Sequence, residues 1–461
     1  MPTSSFKLPL SRINLHAPPK KIGNDTLSSK FAIANHYNFA YLAPVNVGGQ
    51  TFMVILDTGS TDLWVVSSKC IEDDCKRVPS YNETSSLSRT DKPFQLNYLM
   101  GSVTGEIAFE TIVLGNYRIS SQVFALANRT VGLYLSDTGH SGILGLAFDS
   151  QASIELNTGQ PLLKSLAIHL PEDSRYFAIG LSRSNSGSSF TIGELDPEYA
   201  NFTEEFTWSN VYVNPGQGQT YDFWKIPLKG ISINETFLER LTESKVVDSP
   251  TPVAVLDTGT TLMLGPAIDV QYFWNTVGGS RQNSDGQWQV LCNRGVVVKV
   301  TLGGDGTESE YVMHPGDVNW MDGGKEEDGG DEWCIGGIQA NDHVNSGDWL
   351  LGDIFLRSVY TVHKLETPAS PPQLGLLSTV DIEQALGDFW AERGYDNTTI
   401  GVALVEKVKT KPTSKDGMVY GISVVLGFVV GFIVTVASLW FRSRRSHEAN
   451  GTRSRVGYRR H

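Results

Sequence analysis

Short apolar runs that stop at a turn signal set the pattern of the first 380 residues. Phe52-Met53-Val54-Ile55-Leu56 and Val253-Ala254-Val255-Leu256 each lead directly into Asp-Thr-Gly. Continuous apolar runs of this length, closed by turn residues, predict short buried strands. Phe94-Gln95-Leu96-Asn97-Tyr98 alternates apolar and polar, and residues 296–300 are β-branched around Lys299, so both also predict strands. Helical spacing is confined to residues 161–169, 266–277 and 382–393. The Gly/Asn/Ser cluster at 182–189 and the Gly/Asp/Glu run at 322–332 read as surface loops. Past Thr379 the apolar pattern thins, and 381–417 reads as a polar stalk.

The pattern repeats. Ile55-Leu-Asp-Thr-Gly-Ser-Thr61 recurs as Val255-Leu-Asp-Thr-Gly-Thr-Thr261, an offset of 200. Gly142-Ile-Leu-Gly-Leu146 answers Trp349-Leu-Leu-Gly-Asp353, with Gly145 and Gly352 offset by 207. Two elements in the same order at nearly the same offset indicate a duplicated lobe, not a short-period solenoid. The expected architecture is therefore mainly β, with lobes at 37–215 and 216–380 preceded by a leader at 1–36.

One segment breaks the pattern. Residues 418–441 (MVYGISVVLGFVVGFIVTVASLWF) contain no charge, with Tyr420 and Trp440 near the two ends. As a helix they rise about 36 Å, enough for one transmembrane crossing with some tilt. The 442–461 tail has seven Arg and one Glu, so it carries +6 of a net −13 and leaves −19 on the rest. These arginines outnumber Lys407, Lys409, Lys411 and Lys415 on the other flank, which predicts a cytosolic tail and a lumenal or extracellular body. The acidic balance argues against a nucleic-acid partner, and the ample apolar content against a disordered chain. Gly427 and Gly431 form a GxxxG pattern that offers a weak dimerisation face in the bilayer.

Four cysteines allow three pairings, of which Cys70 with Cys75 and Cys292 with Cys334 is the most economical. N-x-S/T sequons at Asn24, Asn82, Asn128, Asn201, Asn234 and Asn397 fit the same oxidising, glycosylating compartment. The start, MPTSSFKLPLSRINLHAPPKK, lacks the apolar run of a secretory signal, so this reading expects a signal segment ahead of Met1.

The repeat also suggests chemistry. A carboxylate at the end of a buried apolar strand is costly unless compensated, and here it occurs twice. Lobes related by a pseudo-twofold would bring Asp57 and Asp257 together, where two close carboxylates share one proton. Such a pair supplies a general base for water and a general acid for a leaving amine. Thr58 and Thr258 can turn inward to bond the opposite lobe. Gly59 and Gly259 permit close approach of backbone to the carboxylates, and Ser60 and Thr260 can donate to the outer carboxylate oxygens.

At this point the residues closely resemble the pepsin-like aspartic proteases. Asp57-Thr-Gly-Ser-Thr-Asp-Leu-Trp-Val65 resembles the family's first active-site motif, and Asp257-Thr-Gly-Thr-Thr261 with Gly265-Pro266 the second. Ser141-Gly-Ile-Leu-Gly-Leu-Ala147, which contains Ile143, and residues 349–355 resemble the apolar-apolar-Gly elements beneath the two loops. The cysteine spacings match the family's pairs. The resemblance covers about 37–378 and implies a bilobal β fold with a cleft for extended polypeptides. It further implies endopeptidase activity without metal, cofactor or covalent intermediate, and a propeptide at 1–36. That leader is basic: Lys7, Arg12, Lys20, Lys21 and Lys30 stand against Asp25.

By the same resemblance the flap lies at 94–107. Tyr98 takes the place of the flap tyrosine whose hydroxyl reaches a Trp, here Trp64, and Gly101 and Ser102 rejoin the pattern after a departure at Leu99 and Met100. Two other readings use the same residues: a silent relative that only binds peptides, and an adhesion protein that uses the fold as a scaffold.

Overall fold

The computed structural model describes residues 6–9, 11–13, 40–183, 187–216, 218, 220–238, 241–325, 332–344 and 347–395. Within them the duplication is visible as topology. Strand Gln50–Asp57 pairs in parallel with Gly142–Gly145, and Leu63–Val66 lies antiparallel on the other side of Gly142–Gly145. In the second half Val253–Leu256 pairs in parallel with Trp349–Leu351, which is flanked antiparallel by Met263–Gly265. The apolar runs form these strands because they are covered on both faces: Val253–Leu256 and Trp349–Leu351 are wholly buried. Gly145 and Gly352 are required, since a Cβ at either would run into the backbone of the loop after Asp57 or Asp257.

Each half builds an eight-stranded sheet around this motif, and the second adds a four-stranded one. A further six-stranded sheet takes strands from both halves. Tyr176–Gly180 pairs with Val359–Lys364, and Thr207–Asn210 with Gln373–Ser378. The expected division at 215/216 falls in the connection between Thr207–Asn210 and Lys225–Ile233, and the shared sheet joins the two halves into one compact unit. Trp224 packs at this junction, 4.5 Å from Phe148 and 5.6 Å from Phe177 by ring centroid, with its Nε1 donating to the Leu146 carbonyl at 2.8 Å.

The three expected helices occur at Leu162–Ile168, Ala267–Val277 and Ile382–Arg393. The last corrects the start of the stalk. Ala385, Leu386, Phe389 and Trp390 recur at helical spacing and are buried, packing towards the Pro315–Val318 helix. The folded body therefore extends through Arg393, and any stalk begins after it. The run at 322–332 is also not simply a loop, because Asn319–Lys325 and Glu332–Gly336 pair as a hairpin. In the leader, Phe6–Pro9 adds to the edge of the shared sheet beside Ser189–Ile192, and Ser11–Ile13 pairs with Ala40–Val47. Both disulfides join the local partners, Cys70 with Cys75 and Cys292 with Cys334. Among the described residues no helix is long and apolar enough to cross a membrane; 418–441, with Gly427 and Gly431, lies outside them.

Candidate active site

The two Asp-Thr-Gly loops meet at the centre of a cleft of about 750 Å³. Asp57 and Asp257 are both buried, and their carboxyls lie within hydrogen-bonding reach of each other. Each is held alike. The Gly59 amide donates to Asp57 Oδ1 and the Gly259 amide to Asp257 Oδ1, both at 2.8 Å. Ser60 Oγ donates to Asp57 Oδ2, and Thr260 Oγ1 to Asp257 Oδ2 at 2.8 Å. The glycines also cross over: a Cβ on Gly59 would strike the Asp257 carboxyl, and one on Gly259 the Asp57 carboxyl. Any other residue at either position would push the pair apart.

Burial raises both carboxyls above their ordinary value. For Asp57 the charge of Asp257 adds to this, while Ser60 and Gly59 pull the other way. For Asp257, hydrogen bonds from Thr260 and Gly259 oppose the burial. The hydrogen bonding of the two sites is near-symmetric, so the retained proton belongs to the pair. A site that holds one proton between two carboxyls can take a proton from water and give one to a carbonyl oxygen or amine.

The flap closes one side of the cleft. Strands Ser88–Asn97 and Ser102–Leu114 form a hairpin whose turn is closed by the Tyr98 amide donating to the Gly101 carbonyl at 3.0 Å. Trp64 is fully buried, and its Nε1 donates to the Tyr98 hydroxyl at 2.7 Å. Tyr98, Leu99 and Met100 line the cleft, as does Ile143. Gly101 and Ser102 belong to the same hairpin, Gly101 in its turn and Ser102 at the start of the second strand. Gly101 takes φ +79° and packs against the backbone of Val131 and Gly132, and Ser102 is paired with Val131 inside the sheet.

The chain matches the family model described as eukaryotic aspartyl protease over residues 40–370. It belongs to that family. Pepsin A of Sus scrofa is 28% identical over 339 residues, covering 72% of this chain and 80% of its own. Chymosin of Camelus dromedarius is 26% identical, covering 72% and 79%. Aspartic protease pepA of Leptosphaeria maculans is 28% identical, covering 76% and 78%. This aspartyl protease is thus an aspartic-type endopeptidase, working on extended polypeptides at acidic pH through a water activated between two carboxylates.

Further cleft residues had no signal in the sequence. Leu133, Thr138 and His140 line one wall, and Gln282, Asp285 and Asn341 lie on the side of the second half. They come from loops and from the ends of short elements, Thr138 closing the helix Leu135–Thr138 and Gln282 the strand Ser280–Gln282, whose place is fixed only by the packed strands. Of the sequon residues, Asn82, Asn128 and Asn201 are exposed, and Asn234 is half-buried with its Oδ1 accepting from the Val297 amide at 2.9 Å. Asn24 and Asn397 lie outside the described residues.

Proposed function

We propose that Asp57 and Asp257 are the acid–base pair of this endopeptidase. The ionised carboxylate takes a proton from water as the hydroxyl oxygen bonds to the scissile carbonyl carbon. The protonated carboxyl gives its proton to the carbonyl oxygen. Collapse of the tetrahedral intermediate breaks the C–N bond as the amine gains a proton, and the pair regains one shared proton. Gly59, Ser60, Gly259 and Thr260 hold the carboxylates, Thr58 and Thr258 hold the loops, and Tyr98, backed by Trp64, covers the substrate. The crossed packing of each loop glycine on the opposite carboxyl supports this most directly. Incubating the purified protein with a fluorogenic peptide at pH 3–6, with and without a statine-type transition-state analogue, tests it. Inhibitable cleavage is expected, and peptide binding without cleavage would favour the silent relative.

The finer setting belongs to the same proposal. Residues 418–441 anchor the enzyme in a membrane with 442–461 in the cytosol, the catalytic body is lumenal or extracellular and glycosylated at its sequons, and residues 1–36 act as a propeptide. The apolar length of 418–441, the flanking arginines and the two disulfides support this setting. Protease added outside sealed vesicles should remove only the tail, about 20 residues long on this positive-inside topology. Digestion of the catalytic body from that side would refute the orientation.

A further inference from the structure

The wall of the cleft contributed by the first half is largely apolar. Ile55 and Ile143 are neighbours across the parallel strand pair, and Leu133 and Tyr98 pack with them in one cluster. All four line the cleft together with Asp57. A hydrophobic substrate side chain, an aromatic ring included, suits such a surface.

His140 interrupts it. This residue is 1% exposed, yet it lines the cleft beside Thr138. Its Nδ1 is hydrogen-bonded to the Thr138 hydroxyl, which leaves Nε2 as the ring nitrogen open to a ligand. Burial pushes the imidazole down to about 4, outweighing the opposing pull of Asp74. Asp74 itself accepts from the Leu135 and Ser136 amides and the Ser136 hydroxyl, which fixes the short segment that carries Thr138. At pH 5 the ring is therefore neutral, with one nitrogen a donor and the other an acceptor. A ligand hydroxyl, which can both donate and accept, suits the open nitrogen in a site that is nearly closed to water.

We propose that His140 is a specificity-determining residue whose Nε2 hydrogen-bonds a substrate tyrosine hydroxyl in the subsite walled by Ile55, Leu133 and Ile143. The apolar wall takes the ring and the imidazole takes the hydroxyl, so tyrosine is selected over phenylalanine. The inference rests on the endopeptidase reading above, and the test separates the two.

The full-length protein is assayed at pH 5 on matched peptides that differ only by Tyr or Phe, placed in turn at each position from three residues before the scissile bond to two after it. The wild type should show kcat/KM higher for Tyr at one position by about fivefold, the scale of one net hydrogen bond. His140→Phe should bring that ratio to about one, and His140→Gln, whose amide can donate or accept, should restore part of it. Equal Tyr and Phe rates in the wild type at every position, or a preference unchanged in His140→Phe, would overturn the assignment and leave the catalytic pair standing. If His140→Phe does not fold, the wild-type ratio and His140→Gln decide. A wild type that cleaves none of the peptides overturns both readings.

Discussion

Thr58 and Thr258 each bond the other's loop in the same way. The Thr58 amide donates to Thr258 Oγ1 at 3.1 Å, and the Thr258 amide to Thr58 Oγ1 at 3.0 Å. The hydroxyls then donate onward, Thr58 Oγ1 to the Leu256 carbonyl at 2.9 Å and Thr258 Oγ1 to the Leu56 carbonyl at 2.7 Å. All four bonds are buried. Residues 200 positions apart thus fix the two loops relative to each other, and the spacing of the carboxyls depends on this lock.

Removing one hydroxyl breaks two of these bonds. Thr58→Val keeps the shape but leaves the Thr258 amide and the Leu256 carbonyl without partners, at about 2–4 kcal/mol in total. The loops should also lose register, so kcat should fall by about 10²-fold, as small misplacements of reacting groups do. Thr58→Ser retains both bonds and should stay close to wild type. Denaturant melts and single-peptide kinetics on the two variants check this; equal behaviour of Val and Ser would show that the lock is dispensable.

The dyad itself makes a two-sided prediction. Asp57→Asn or Asp257→Asn removes an acid–base group and should lower kcat by about 10²–10⁴-fold. Stability should move the other way. Both carboxyls have folded pKa values raised above the unfolded 3.8, mainly by burial, so the folded state binds protons more tightly. That contribution is fully present below the unfolded value and is lost as pH rises through the raised folded one. Asp57→Asn carries no charge to bury, so it should melt higher than wild type at pH 7 and about level with it at pH 3. A melting temperature lowered by the variant at pH 7 would contradict a buried, proton-sharing pair.

The centre of this site was legible in the sequence because it lies within single strand-turn units. Asp57, Thr58, Gly59 and Ser60 are contiguous, and their partners repeat at a fixed offset. Even the Trp64–Tyr98 bond could be placed, since both residues sit in recognisable motifs. The rest depends on contacts distant in sequence. The shared sheet pairs residues about 180 apart, such as Ala178 with Val362, and no local pattern announces that. The pairing of Asn319–Lys325 with Glu332–Gly336 was hidden by the polar composition of 322–332, because a strand at a sheet edge pairs through its backbone and needs no apolar run. Helix Ile382–Arg393 shows the converse: its period was visible, but not that the face Leu386, Phe389, Trp390 would find a partner. His140 sits just before the Ser141–Ala147 element, and only the folded wall brings it to the cleft.

The two disulfides should contribute unequally. Cys70 and Cys75 are separated by 5 positions, Cys292 and Cys334 by 42. In the chain-entropy account the longer loop restricts the unfolded chain by about 4 kcal/mol and the shorter by about 2. The longer one also carries the C-terminal helix: Arg393 Nη1 lies 2.9 Å from Cys334 Sγ, and Asn293 Nδ2 donates to the Tyr395 carbonyl at 3.1 Å. Cys292→Ser should therefore lower the melting temperature more than Cys70→Ser. Calorimetry on the two variants checks the order, and a reversed order would mean that the short loop holds structure beyond its own closure.

His363 sets an opposing trend with pH. It is buried in the shared sheet, stacked on Phe177 at 4.4 Å and 8°, with Trp224 edge-on at 4.8 Å. Neither ring nitrogen has a hydrogen-bond partner among the described residues. Burial pushes its pKa down to about 3 from the ordinary 6.5. The unfolded chain therefore binds a proton at this residue between those values and the folded chain does not. Stability from this group is present above pH 6.5 and is lost as pH falls towards 3, by about 2 kcal/mol between pH 7 and pH 5. This opposes the dyad, whose raised values favour the folded state in acid. His140 and His314, both pushed down to about 4 by burial, act in the same direction as His363. His363→Phe keeps an aromatic ring between Phe177 and Trp224 and has nothing to protonate. It should raise stability at pH 5 by about 2 kcal/mol more than at pH 7. Urea melts of wild type and variant at the two pH values measure the difference, and an equal gain at both would mean that the imidazole is not held neutral by its surroundings.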